Sequence, residues 1–265
     1  MTTIPQNMAK QKLAAGELVL CMGLRQARSV DVCMIAAAND FDAIYVDMEH
    51  SPASMETSSA LCAGAISLGI TPIVRPPGHD PHMCSRLLDS GAMGLLVPRV
   101  DTPEQARALV DATRFPPLGH RSVIGAGPAT LYRPLPLSDA NRELNEQTLL
   151  IVMLESPEGI ANADAIARIP GVDALLIGSN DLCTELGIPG QVRHPKLREA
   201  YEIVARACST HGKALGVGGI RQDMELVKEL LALGARFIVA GTDVSYLASA
   251  ARKDTDALRA FKVNN

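Results

Sequence analysis

The chain has no tryptophan, and aromatic residues make up only 3% of its 265 positions. A core of that composition has to be aliphatic, which suits Val, Ile and Leu strands covered by Ala- and Leu-rich helices. No run of about 18 apolar residues occurs, which argues against a transmembrane helix. The opening stretch MTTIPQNMAKQKLAAG lacks the apolar centre of a secretory leader. An excess of positive charge is missing as well: the formal net charge is −4, so nucleic acid is not an expected partner. The six cysteines, at 21, 33, 62, 84, 183 and 208, include no Cys-x-x-Cys pair. They read as reduced, mostly buried thiols of a cytoplasmic protein, and no membrane partner is expected. Phosphate-binding loops are absent too. The segment 21-CMGLRQA carries no Gly-x-Gly-x-x-Gly, and there is no Walker A sequence.

What is present is a regular alternation. Hydrophobic residues reach 47%, enough for a sizeable core. Strand-like runs at 18–24, 43–49, 71–77, 94–100, 149–156, 173–179, 214–219 and 237–243 alternate with helix-like segments. Those segments are 29–39, 54–68, 81–89, 103–113, 157–168, 195–211, 221–233 and 246–262. The run 121-RSVI sits in the Pro- and Gly-rich stretch 115-FPPLGHRSVIGAGPATLYRPLPL and reads as loop. This alternation predicts an α/β protein with a (β/α)8 TIM barrel, a single domain over residues 1–265. The rival, a doubly wound sheet, usually carries the glycine-rich first turn that is missing here.

In such a barrel the chemistry sits where strands end at their carboxyl termini. Polar residues fall at those ends: Asp47, Glu49 and His50; Arg75; Arg99 and Asp101; Glu155; Ser179, Asn180 and Asp181; Thr242 and Asp243. Taken singly, each has an ordinary explanation. Asp181 could cap a short helix, and Glu155 before Ser-Pro-Glu-Gly could belong to a helix start with Pro157 in its first turn. Together, Glu155 and Asp181 end adjacent strands. Two neighbouring carboxylates repel unless a cation or proton lies between them, and two oxygen ligands with open positions suit Mg²⁺ or Mn²⁺. His79 and His82 read as solvent-facing, and His120, His194 and His211 as surface or loop residues. His50 alone stands at a strand end beside carboxylates, and an unperturbed pKa of about 6.5 suits a histidine to proton transfer. No lysine, among 10, 12, 196, 213, 228, 253 and 262, falls at a strand's carboxyl end, which disfavours Schiff-base chemistry.

The segments 47-DMEHSP, 73-IVRPP, 88-LDSGAMGLLVPRV, 114-RFPPLGHRS, 155-ESPEG, 178-GSNDL and 237-FIVAGTDVSYL resemble the HpcH/HpaI aldolases, metal-dependent class II pyruvate aldolases on a (β/α)8 barrel. The resemblance spans nearly the whole chain. It implies aldol cleavage or condensation of a 4-hydroxy-2-oxo acid, giving pyruvate and an aldehyde through a metal-stabilised pyruvate enolate. It also implies roles for individual residues. Glu155 and Asp181 would hold the divalent metal, Mg²⁺, Mn²⁺ or Co²⁺. Ser179, Asn180, Asp181 and Met153 would contact substrate, with the substrate carboxylate at the start of the helix after strand six. Arg75 would stabilise the enolate oxygen, and His50 would be the base, with Asp47 nearby. Asp89 would raise the basicity of His50. Because Asp89 ends the third helix, at the bottom of its own barrel, it would have to come from a neighbouring subunit. The family implies homo-oligomers, often hexameric trimers of dimers, with the C-terminal helix exchanged between subunits.

The chain departs from the family pattern at substrate-contact positions. Relatives read V-Q-I-E-[TS] where this chain has 152-VMLES, so Met153 replaces a glutamine. They read G-P-A-D where it has 178-GSND, G-x-R-G where it has 119-GHRS, and a bulky residue near the position of Gly218. The metal, arginine and histidine positions are kept, which implies conserved enolate chemistry with an altered acceptor preference. Three other readings share the site. Two are oxaloacetate decarboxylation and cleavage of a CoA thioester, the latter calling on Arg99 and Arg121 as basic residues at the mouth. The third is a barrel that binds a 2-keto acid without turnover.

Overall fold

The structure, a computed structural model, describes residues 4–261. Eight parallel strands close in sequence order into a barrel. They are β1 (Val19–Leu24), β2 (Ala43–Asp47), β3 (Thr71–Arg75), β4 (Gly94–Val97), β5 (Leu149–Leu154), β6 (Ala174–Gly178), β7 (Ala214–Gly218) and β8 (Ala235–Thr242). The ring closes where Val19 of β1 pairs with Phe237 of β8. The TIM barrel expected from the alternation is therefore present. Its outer layer contains α2 (Asp31–Ala38), α3 (Met55–Ser67), α4 (Pro81–Asp89), α5 (Pro103–Thr113), α10 (Pro195–His211) and α11 (Met224–Ala232). The remaining helices are α1 (Met8–Ala14), α6 (Leu137–Gln147), α7 (Pro157–Ala161), α8 (Ala163–Ala167), α9 (Ser179–Glu185) and α12 (Asp243–Arg259).

The strands are apolar on both faces, so their sequences hide a period of two that the structure makes plain. In β5, Leu149, Ile151 and Met153 fill the barrel interior with Tyr45, Ile73, Leu176 and Phe237. Leu150, Val152 and Leu154 pack outward under the helices. Because side chains alternate along a strand, Glu155 continues the inward series. The same parity carries from Ala43 and Tyr45 to Asp47, and from Ile73 to Arg75. Buried aliphatic packing thus decides which polar side chains reach the mouth.

The opposite end is closed by α1, whose Ala9 is fully buried. Asn7 caps this helix by accepting from Lys10 N (2.9 Å). Its side-chain amide donates to the carbonyls of Met93 (2.9 Å) and Gln147 (2.7 Å). One polar side chain thereby satisfies two main-chain acceptors beneath the barrel.

Three local expectations are corrected. The helix expected over 157–168 is broken at Asn162, whose side chain donates to Asp101 O (2.7 Å) where α7 ends and α8 begins. Helices α1 and α6 were not expected. Only Ala9 is buried in α1, and only Ala140 and Leu144 in α6, too weak an apolar stripe to read. The final helix begins at Asp243 rather than 246 because Thr242 caps it, accepting from Ser245 N (3.2 Å). Its expected last residue, Lys262, lies outside the described residues. The stretch 121-RSVI is loop, as expected. The six cysteines are free and buried, and burial pushes the thiols of Cys62, Cys84 and Cys208 up to about 12, so they are poor nucleophiles. No helix among the described residues is long and apolar enough to cross a membrane.

Replacing Asn7 with Ala removes the cap on Lys10 N–H, the donor to the half-buried Gln147 carbonyl and one of two donors to the Met93 carbonyl, which keeps Leu149 N–H. The expected cost is about 2–3 kcal/mol, read as a lowered urea midpoint with an unchanged slope.

Candidate active site

A cavity of about 520 Å³ opens at the carboxyl ends of the strands. Its walls include His50, Arg75, Met153, Glu155, Asn180 and Asp181, drawn from the ends of β2, β3, β5 and β6. The strand-end candidates His50, Arg75, Glu155 and residues 179–181 share this space, whereas Arg99, Asp101 and Asp243 do not line it. Asp89 and the basic candidate Arg121 are not part of it.

Asp47 organises one side. It is fully buried, and its carboxylate accepts from Arg75 Nε (3.0 Å), Arg75 Nη2 (2.6 Å) and Arg25 Nε (2.9 Å). It also accepts from the main-chain N–H groups of Glu49 (3.2 Å) and His50 (3.0 Å). Burial by itself would raise its pKa. The bonds from Arg75, His50 N–H and Arg25 outweigh that, and the carboxyl is held below its ordinary range. Asp47 therefore fixes the direction of Arg75 and shapes the turn that carries His50. Arg75 is nearly buried, with Nη1 3.2 Å from Glu49 Oε2. That oxygen has no aligned hydrogen-bond donor and also lies 3.6 Å from His50 Nε2. The His50 ring is half exposed, so it can reach water and substrate together.

Glu155 is the central acid. It is 3% exposed, and Oε2 accepts from Arg99 N–H at 2.8 Å. Arg99 adopts φ 51°, a left-handed conformation costly for a non-glycine residue and held here while its N–H points at the carboxylate. On the other side, a Cβ at Gly178 would sit 2.5 Å from Glu155 Oε1, so only glycine leaves room for the carboxylate. Burial pushes this carboxyl up to about 7, with the nearby charges of Asp181 and Glu49 adding to the rise. No group of three or more His, Cys, Asp and Glu side chains forms a ready metal cage among the described residues. What exists is a buried acid short of positive charge, with a second carboxylate in the first turn of α9. That donor set fits a hard cation held by two protein oxygens and completed by water or substrate oxygens.

The other sequence candidates separate. The Ser179 hydroxyl is bonded to Tyr201 Oη (2.6 Å) and Gly218 O (2.6 Å), so its side chain is committed to packing α9 and β7. Met153 and Asn180 line the cavity. Asp89 pairs with the buried Arg121 (2.8 Å) on its own chain, at the end of α4 away from the mouth. Arg121 therefore cannot serve as the basic mouth residue that a CoA thioester would call on. His79 is not solvent-facing as expected: its ring Nε2 meets Pro98 O at 2.5 Å and is partly buried. Residues that sequence reasoning left unassigned also line the cavity. Among them is Arg25, whose loop is held where Asp243 accepts from the N–H groups of Arg25 (2.9 Å), Gln26 (2.9 Å) and Ala27 (2.7 Å). Arg25 stands one residue past a strand, the same signal that marked the others.

The closed parallel barrel gathers two acids, an arginine and a histidine at its carboxyl mouth, and its relatives make it a carbon–carbon lyase. The chain belongs to the HpcH/HpaI aldolase/citrate lyase family, whose pattern it matches over residues 22–250. It is 36% identical to a 4-hydroxy-4-methyl-2-oxoglutarate aldolase of Hapsidospora irregularis, covering 98% of this chain and 97% of the relative. It is 39% identical to a hydroxypyruvate/pyruvate aldolase of Deinococcus radiodurans, covering 93% and 87%. Its backbone matches a crystal structure of an HpcH/HpaI aldolase from Desulfitobacterium hafniense with a TM-score of 0.91 at 30% identity, over 97% of this chain and 98% of that one.

The raised Glu155 carboxyl has a consequence for stability. Its folded pKa, about 7, lies above the ordinary 4.5, so the folded state holds a proton that the unfolded state releases. Stability of the metal-free protein then falls as pH rises from about 4.5 through 7, by about 3 kcal/mol. Glu155→Gln is expected to raise the metal-free melting temperature at pH 8 and flatten this dependence. A melting temperature that climbs from pH 5 to pH 8 in the unmodified protein would contradict it. Removing Asp47 is destabilising: Asp47→Ala leaves the Nε and Nη2 edge of buried Arg75 unpaired, with Glu49 alone beside Nη1, an expected loss of about 3 kcal/mol by chemical denaturation.

Proposed function

We propose that the protein is a divalent-metal-dependent aldolase that cleaves a 4-hydroxy-2-oxo acid to pyruvate and a carbonyl compound and catalyses the reverse condensation. The observation that carries this reading is the buried, charge-deficient Glu155 facing the cavity that Arg75 and His50 also line. A cation held by Glu155 and Asp181 would supply Lewis acidity toward the keto oxygen of pyruvate. Arg75, locked by Asp47, presents its guanidinium to the same cavity and stabilises the oxygen on which negative charge develops. His50 moves the proton at the pyruvate methyl, directly or through one water, with Glu49 beside its ring. Asn180 and Asp181, in the first turn of α9, flank the substrate carboxylate, and Met153 gives that wall an apolar patch.

Asp89 contributes to His50 only from a second subunit, so the reading includes a homo-oligomer. Helix α12 supports it: none of its residues is buried, and Leu247 and Leu258 are 74% and 67% exposed. A hexameric trimer of dimers with α12 exchanged is the arrangement proposed. Free, buried cysteines fit a cytoplasmic setting. The names of the two relatives, both aldolases of small oxo acids, support the reaction class.

Proton exchange at the pyruvate methyl tests the reading without any acceptor. In D2O, the methyl NMR signal is expected to fade with protein and Mg²⁺ or Mn²⁺, and to persist with EDTA. His50→Ala and Glu155→Ala are expected to slow exchange by at least about 100-fold. Full exchange in EDTA, or in the Glu155 variant, would remove Glu155 from the reaction.

A further inference from the structure

The cavity has a second sector. Glu155, Asp181, Arg75 and His50 occupy the walls formed by β5, β6, β3 and β2, whereas β7, β8 and the connection to α11 line the remainder of the same space. The cationic residue on that connection is Arg221. Among the described residues Arg221 makes no ion pair, unlike the other two arginines of the cavity, Arg25 and Arg75, which bond to Asp47. Asp223, two residues along and also on the wall, is taken: Arg193 donates to both its oxygens at 2.5 and 2.6 Å, and Leu226 N–H donates to one of them at 3.0 Å. Asp243, at the end of β8, is likewise committed to backbone N–H groups.

Arg221 is nonetheless held in place. Its guanidinium carbon lies 5.0 Å from the centroid of the Tyr246 ring, and its Cδ rests on β8, where a Cβ at Gly241 would approach it to 2.8 Å. An aromatic face and a glycine floor fix the arm while leaving the guanidinium without an anion. On the same sector of the cavity wall, Gly218 leaves space that the backbone does not require. Its φ is outside the left-handed region, and a Cβ there would meet Val239 and Leu176 at 3.5–3.9 Å, ordinary contact distances. A side chain could stand at 218; its absence enlarges the sector.

We propose that Arg221 and the space at Gly218 form the acceptor subsite, and that the acceptor is a small carbonyl compound bearing its own carboxylate. This rests on the aldolase reading above. In the condensation, C3 of pyruvate bonds to the acceptor's carbonyl carbon, the methyl proton leaves to the base, and the acceptor oxygen takes a proton to become the 4-hydroxyl. Arg221 takes no part in these transfers. It binds the second carboxylate, for which a planar guanidinium offers paired donors, and so determines specificity.

The test is condensation of pyruvate with glyoxylate, with glycolaldehyde, which replaces the carboxylate by a hydroxymethyl group, and with glycolaldehyde phosphate. The readout is the ratio of kcat/KM between acceptors on one protein sample, which partial unfolding of a variant does not change. The unmodified protein is expected to favour glyoxylate over glycolaldehyde by about 10- to 100-fold. That ratio is expected to collapse toward one in Arg221→Ala and to recover in part in Arg221→Lys. Gly218→Val is expected to raise KM for pyruvate as acceptor, the bulkier 2-oxo acid, more than for glyoxylate. No preference in the unmodified protein, or equal losses for both acceptors in Arg221→Ala, would overturn the proposal, as would a preference for the phosphate ester over both. Failure of the underlying reading is seen separately, as absence of methyl exchange in pyruvate before any acceptor is added.

Discussion

A single buried carboxylate, Asp47, holds the mouth together. It lies out of reach of water, where an unpaired charge would cost several kcal/mol, and two arginines and two main-chain amides make its burial tolerable. In return, Arg75 can point its charge into the cavity with little freedom left to lose, and the turn bearing His50 is fixed by the same oxygens. Arg75 keeps its orientation because its Nε and Nη2 edge is occupied by Asp47, leaving Nη1 turned toward Glu49. The chemistry proposed for this mouth depends on that division of one guanidinium between a structural edge and a working edge.

The barrel itself supplies the second constraint. The strand interiors are filled by mainly aliphatic side chains in a two-residue alternation, broken only where β8 shifts register against its neighbours, so the polar residues that end β2, β3 and β5 have their direction decided by packing several residues earlier. This explains how much of the molecule could be read in advance. Eight strands, their order and the residues at their ends were legible because apolar runs and their abrupt polar stops are local signals. The inward parity of Asp47, Arg75 and Glu155 was not legible, because strands buried on both faces show no polar alternation. Helix α6 was missed for the opposite reason: it rests on the surface with two buried residues and leaves almost no apolar mark.

The candidate site shows the same split. Glu155 and Asp181 could be paired from sequence because they close adjacent strands. The cost of keeping Glu155 ionised could not, since it arises from burial against the Gly178 surface and from two other acids arriving from distant segments, which the Arg99 N–H offsets only in part. Arg25 and Arg221 escaped notice because an arginine just past a strand is common, and its value depends on whether a carboxylate lies within reach. Ser179 shows what a strand-end serine leaves unread: it lines the cavity, while its hydroxyl is bonded to Tyr201 and to a main-chain carbonyl.

The hold that Asp243 exerts on residues 25 to 27 joins the first strand's loop to the start of the last helix, 216 to 218 positions away in sequence. A ribosome makes the chain in one direction. The loop bearing Arg25 emerges early and then waits for nearly the whole polypeptide before the carboxylate that orders it is synthesised. An incomplete chain can collapse much of its aliphatic core, yet this wall of the cavity stays unformed. The barrel thus couples completion of the site to completion of synthesis, and a truncated product carries the acids without the full pocket that would put them to use.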